Sequence, residues 1–88
     1  MTTNTAYPSY PPHMATLDQE NEWMVGWNDY QRTMASEAGF RFFIRVGRAG
    51  GPQGAFRWVI KEVDTDRPVE MFEDRNEAFK ALDRMEVK

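Results

Sequence analysis

The chain has 88 residues, with 11 lysine and arginine side chains against 14 aspartate and glutamate side chains, and its formal net charge is −3. This length supports one small hydrophobic core and excludes a second. The absence of cysteine excludes disulfide scaffolds, thiolate zinc sites and thiol nucleophiles. No apolar run reaches the roughly 18 to 20 residues of a membrane-spanning helix, and no secretory signal pattern is present, so we expect a cytoplasmic protein without membrane contact.

Residues 1–15 are predicted to form a disordered tail that precedes the folded domain. Prolines stand there among threonine, serine and tyrosine with almost no charge, a composition that favours extended polyproline II. A second interpretation is a docking peptide anchored by Tyr7 and Tyr10.

Residues 16–38 are predicted to form one long helix. Thr16 and Gln19 have the spacing of a capping box, and Gly39 is typical of the position just after a helix. Large apolar side chains recur at helical spacing and form one stripe, which we interpret as core: Trp23, Trp27, Tyr30 and Met34.

Strict alternation predicts two long strands, residues 40–48 and residues 55–63. Between them, the glycine-rich segment from Arg48 to Gly54 is predicted to be a hairpin loop. In the first strand, the residues assigned to the buried face are Phe40, Phe42, Ile44 and Val46.

A turn at residues 64–67 leads to a short third strand, Val69 to Phe72, and then to a helix that Asp74 caps. The sequence therefore predicts a single α+β domain over residues 16–88. Its elements follow the order α-β-β-β-α, and helices pack on one face of a three-stranded antiparallel sheet. The free edges of such a sheet make a homodimer possible.

Charge is distributed unevenly along the chain. Residues 40–61 contain five basic residues and no acidic one, and they lie between two segments that each carry a net charge of −4. Alternation places most of these cations with Phe43 on the sheet face away from the helices. The candidate partner-binding residues are Arg41, Phe43, Arg45, Arg48, Arg57 and Lys61.

This basic and aromatic surface favours docking on the acidic surface of a larger protein, with Phe43 as an anchor. The alternative is single-stranded RNA or DNA, with Phe43 stacking on a base. The cations are also consistent with an ordinary solvated sheet face, neutralised in part by Glu62 or Glu70. The size and composition suggest an accessory or inhibitor protein of a bacterium or phage.

Catalysis is not expected from this sequence. The single histidine, His13, lies in the predicted tail, where nothing fixes a base next to a nucleophile. One imidazole cannot build a histidine-based metal site, and the segment Asp64 to Pro68 lacks the glycine and the later glutamate of an EF-hand loop. We therefore predict a non-enzymatic protein with no metal and no cofactor.

Overall fold

The computed structural model describes residue 8, residues 10–51 and residues 54–86. The elements in chain order are helix α1 (Leu17–Ala38), strand β1 (Phe42–Arg48), strand β2 (Phe56–Glu62), strand β3 (Pro68–Phe72) and helix α2 (Arg75–Glu86). The predicted α+β fold, with its order α-β-β-β-α and its three-stranded antiparallel sheet, is confirmed. Within the described ranges, neither helix is long and apolar enough to cross a membrane.

Both helices are capped at their N-termini by side chains, as the sequence predicts. Thr16 accepts a hydrogen bond from the Gln19 backbone N–H, and the Gln19 side chain accepts one from the Thr16 N–H in return. At the other end of α1, Gly39 has a φ of 79°, a left-handed conformation that glycine adopts without steric cost. Asp74 accepts from the Glu77 N–H at the start of α2.

Strand β2 lies at the centre of the sheet, between β1 and β3. Arg45 of β1 lies opposite Val59 of β2, which lies opposite Met71 of β3. One extra residue of β3, Val69, forms a bulge between the pairs Ile60–Glu70 and Lys61–Pro68. Because side chains alternate along each strand, this register determines which residues share a face.

The main core lies between the helices and one face of the sheet. Trp27 is fully buried, and its ring meets Trp58 edge to face at 5.5 Å and Phe79 at 6.4 Å. This confirms that Trp23 and Trp27 are core residues. Met34, from the same predicted stripe, is 47% exposed, because α1 at that point has passed beyond the main core. The buried members of the main core are Trp23, Trp27, Phe42, Ile44, Val46, Trp58, Ile60, Ala78 and Ala81.

The start of the first strand differs from the prediction. Strand β1 begins at Phe42, two residues later than expected, and Phe40 is 51% exposed. The reason is that the chain is still leaving α1 at this point, since the Phe40 N–H donates to the carbonyl of Ala35. Phe40 therefore belongs to the connection after the helix and does not join the buried face of the sheet.

Candidate functional site

The candidate site is the sheet face opposite the main core, which we call the open face. Met71, which lies opposite Val59, is 61% exposed, so no described helix covers this face at β3. Cationic and apolar side chains share it. The residues that the register places on the open face are Arg45, Arg57, Val59, Lys61 and Met71.

Arg45 is the most available cation of the open face. Its side chain is exposed, and it has no hydrogen bond and no ion pair with any residue that the structure describes. The guanidinium lies across Gly47, where an added Cβ would be 3.5 Å from Arg45 Nη1. Gly47 in turn lies opposite Arg57 on β2, so the register brings these two arginine positions together on neighbouring strands.

Arg57 is held only weakly by the rest of the protein. Its Nη1 donates to the carbonyl of Phe56 at 3.0 Å, and its Nη2 lies 4.0 Å from the carboxylate of Glu73. Glu73 is exposed, and an ion pair at that distance from an exposed carboxylate contributes little to stability. Arg57 is therefore still able to attract an anion from outside.

Lys61 is neutralised within the protein. Its Nζ lies 3.2 Å from Asp66 Oδ2, while Arg32 of α1 holds Asp66 Oδ1 at 2.9 Å. The hydrogen bond from Lys61 keeps the pKa of Asp66 below its ordinary value of 3.8, and the charges of Lys61, Arg32 and Arg45 act in the same direction. The cations that stay available on the open face are therefore Arg45 and Arg57.

Phe43 lies on the same side of the sheet as Arg45, but the prediction that it is exposed there is wrong. It is 3% exposed and forms a second small core with Ala35 of α1 and Val63. The guanidinium of Arg32 lies 5.6 Å from the centre of its ring. Burial follows because the C-terminal half of α1 passes the edge of β1 and covers this end of the opposite sheet face.

Arg48 is also placed differently from the prediction, which put it at an exposed loop tip. Its side chain is 11% exposed and forms an ion pair with Glu20 of α1. It also donates to the carbonyl of Gly54 at 2.9 Å, and its guanidinium lies 4.7 Å from the ring centre of Phe56. These contacts link the end of β1 to α1 and to the connection between β1 and β2, so the Arg48 guanidinium is not available to bind a partner.

Arg41 lies just before β1, at one end of the sheet. Its guanidinium is 5.3 Å from the ring centre of Phe42, a residue of the main core. Its charge also acts on nearby Glu62, whose pKa is held below its ordinary value of 4.5, chiefly by hydrogen bonds from Thr65 and Arg67. Of the six predicted residues, the structure therefore places Arg45, Arg57 and Lys61 on the open face. Phe43 lies opposite Lys61 but is buried, and Arg41 and Arg48 lie elsewhere.

The sequence interpretation missed the apolar part of the open face. The sequence places Met71 in the third strand without a face, and the register of the structure pairs it with Val59 on the open face. The open face therefore combines guanidinium groups, which bind carboxylates through paired N–H donors, with methyl-bearing side chains. No cluster of three or more histidine, aspartate or glutamate side chains that could hold a metal ion occurs in the described part of the chain.

The chain has no match among family models, curated proteins or solved structures. The geometry of the open face is therefore the basis of the functional argument.

Proposed function

We propose that this protein is a non-enzymatic interaction protein whose open face docks on the acidic surface of a larger protein. The observation that carries the proposal is the position of Arg45, an exposed arginine with no hydrogen bond or ion pair to a described residue, beside exposed Met71 and half-buried Val59. Apolar area supplies affinity on burial, and unpaired guanidinium groups select carboxylates and steer the encounter.

The structure favours a protein partner over the alternative, single-stranded RNA or DNA. Recognition of unpaired bases depends on aromatic rings on which bases stack. Phe43 was the ring predicted for that role, and it is buried. None of the residues that form the open face is aromatic.

The proposal also includes a cytoplasmic location and an accessory or inhibitor role in a bacterium or phage. The cysteine-free composition supports the location, and the small size supports the role. A homodimer through the outer edge of β3 is a separate prediction, which sedimentation of the purified protein would check.

The experiment is site-specific photocrosslinking in lysate of the source cells. The photoreactive residue p-benzoylphenylalanine replaces Met71 on the open face or, as a control, the exposed Val25 of α1. We expect a crosslinked protein from position 71 and not from position 25. Mass spectrometry of the crosslink should place it in a segment rich in aspartate and glutamate.

Charge reversal decides whether that crosslink reports the proposed contact. Arg45→Glu with Arg57→Glu should abolish it, whereas Lys80→Glu with Arg84→Glu, the same charge change on exposed positions of α2, should leave it intact. If the first pair lowers the melting temperature, Arg45→Gln with Arg57→Gln should still weaken the crosslink. Equal crosslinking by all variants, or a crosslink from position 25 alone, would overturn the proposal.

A further inference from the structure

A segment before α1 folds back along that helix and contacts it. We call the described residues of this segment, residue 8 and residues 10–12, the N-terminal strap. The reversal occurs at His13 and Met14, and the Ala15 N–H donates to the carbonyl of Pro12 at 3.1 Å. The strap thereby reaches a surface formed by α1 and the start of α2, on the opposite side of the sheet from the open face.

The central contact is a hydrogen bond from the indole of Trp23 to the strap. Trp23 Nε1 donates to the carbonyl oxygen of Pro8 at 2.8 Å. The indole N–H is a donor without acceptor capacity, and a buried one needs a partner. Proline-rich chains in the polyproline II conformation have no internal hydrogen bonds, so their carbonyls are free to accept. Aromatic-lined grooves that bind proline-rich peptides exploit this property.

A second contact joins Tyr10 of the strap to Arg75 of α2. The guanidinium of Arg75 lies 5.0 Å from the ring centre of Tyr10 and 4.8 Å from that of Phe79. The Nε of Arg75 is buried and has no hydrogen-bond partner among the described residues. A buried donor without a partner is unfavourable, so Arg75, whose guanidinium contacts Tyr10 of the strap, retains an unused hydrogen-bond donor.

The strap fills this surface incompletely. A cavity of about 420 Å³ remains between the strap and α1. Tyr10 is mostly exposed, and its hydroxyl lies 3.5 Å from Arg75 Nη1, at the limit of a hydrogen bond. Met14 has a φ of 56°, a left-handed conformation that is unfavourable for a residue with a side chain. The residues that line the cavity are Pro8, Tyr10, Pro12, Gln19, Glu22 and Trp23.

From these contacts we propose that the surface around Trp23 and Arg75 is a recognition groove for an extended proline-rich segment of another protein. The strap occupies this groove in the free protein, and a partner segment that fills the cavity and reaches the Arg75 Nε displaces it. The strap itself shows the chemistry of the ligand, which is a proline carbonyl for Trp23 and an aromatic ring for Arg75. This site is separate from the open face, and neither proposal depends on the other.

The test uses the isotope-labelled full chain and a synthetic peptide with the sequence of residues 6–15, AYPSYPPHMA. A released variant carries Tyr10→Ala, Pro11→Gly and Pro12→Gly, which weaken the strap and leave the groove unchanged. We expect this variant to bind the peptide roughly tenfold more tightly than the natural chain, because a tethered competitor acts at an effective concentration near millimolar. Binding should shift the indole N–H resonance of Trp23.

Two controls make the result specific. In the released variant, Trp23→Phe should weaken binding roughly fivefold, which corresponds to the net loss of one hydrogen bond. A peptide with all three prolines replaced by alanine should bind more weakly than the original. The spectrum and thermal melt of each variant establish that it is folded, and Trp23→Tyr offers a second replacement without the indole if Trp23→Phe is not.

Any of three results of the peptide experiment would overturn the proposal. These are no resonance shift at millimolar peptide, equal binding of the alanine peptide, and binding that does not respond to replacement of Trp23. A dimer that sedimentation detects in the natural chain and that Trp23→Phe dissolves would also overturn it, because the groove would then belong to the strap of a second copy.

Discussion

Asn28 of α1 binds Val46 of β1 through both atoms of its side-chain amide. Its Oδ1 accepts from the Val46 N–H at 2.7 Å, and its Nδ2 donates to the Val46 carbonyl at 2.9 Å. Nearby, Glu86 of α2 accepts from the Phe42 N–H at 2.9 Å. These bonds replace some of those that a neighbouring strand would make, so the two helices partly close the outer edge of β1 at Phe42 and Val46.

Asn28→Asp tests how much this edge closure contributes. The substitution keeps the size of the side chain but replaces the donor with an oxygen that faces the Val46 carbonyl. We expect the free energy of unfolding to fall by about 1–3 kcal/mol, the typical effect of leaving a partly buried polar group without its partner. Urea denaturation measures it. Asp29→Asn, at the exposed neighbouring position, should change stability by less than about 0.5 kcal/mol, and equal effects of the two substitutions would contradict the prediction.

Burial predicts that Phe43 contributes to stability far more than Phe40 does. Phe43→Ala should lower the free energy of unfolding by about 3–5 kcal/mol, because it leaves a cavity beside Ala35 and Val63. Phe40→Ala, at a half-exposed position, should lower it by less than about 1 kcal/mol. If Phe43→Ala does not fold, Phe43→Leu gives the same ranking. Similar losses at the two positions would show that Phe43 is not a core residue.

Loss of the side-chain charge should destabilise the protein at Arg48 and have little effect at Arg45. Arg48→Gln leaves Glu20 and the Gly54 carbonyl without a charged donor, and we expect a loss of stability of about 1–3 kcal/mol. Arg45→Gln removes no hydrogen bond and no ion pair within the described residues, only the longer-range attraction to exposed Asp66, so its effect should stay within about 0.5 kcal/mol. Urea denaturation of both variants under the same conditions distinguishes an arginine that stabilises the fold from one that is free to bind a partner. A loss at Arg45 as large as that at Arg48 would contradict this assignment.

The turn between β2 and β3 should make the free energy of unfolding depend on pH in the acidic range. Glu62 and Asp66 both have lowered pKa values in the folded protein, so the stability that they contribute is present above their ordinary values of 4.5 and 3.8. It is lost as pH falls below those values towards the lowered pKa values. Melting temperatures between about pH 6 and pH 3 should therefore decrease less steeply for Glu62→Gln with Asp66→Asn.

The matched control for that measurement is Asp83→Asn, an exposed carboxylate of α2. Its melting temperature should follow pH as that of the natural chain does. If the double variant at positions 62 and 66 also keeps the full acid dependence, the turn is not the source of it.

Local chemistry is the reason that much of the fold can be predicted from the sequence. The capping residues Thr16 and Asp74 and the left-handed Gly39 act within four residues of themselves, so short patterns identify them. Alternation likewise identifies the strands and most of their faces. Alternation also predicts the side of the sheet on which Arg48 lies. Arg48 is two residues after Val46 in the strand, so both side chains point to the face of the main core.

Phe43 could not be assigned in this way, because its burial depends on contact with a helix that ends only five residues earlier in the chain. Alternation reports the side of the sheet, but it does not report that the end of α1 passes over the edge of β1 to Ala35. The sequence does not predict the hydrogen bond from Trp23 to Pro8 either. This bond requires the chain to reverse at Met14, and methionine rarely adopts a positive φ.

The partly closed edge of β1 makes the three strands unequal in rigidity. Strand β1 bonds to β2 on one side and to Asn28 and Glu86 on the other, so its amide protons should exchange more slowly than those of β3, the other edge strand. Strand β3 is short and exposed, so it should open first, and Met71 opens with it. A partner that binds over Met71 should therefore stabilise the strand that opens most easily. Slower amide exchange in β3 would indicate that the partner has bound.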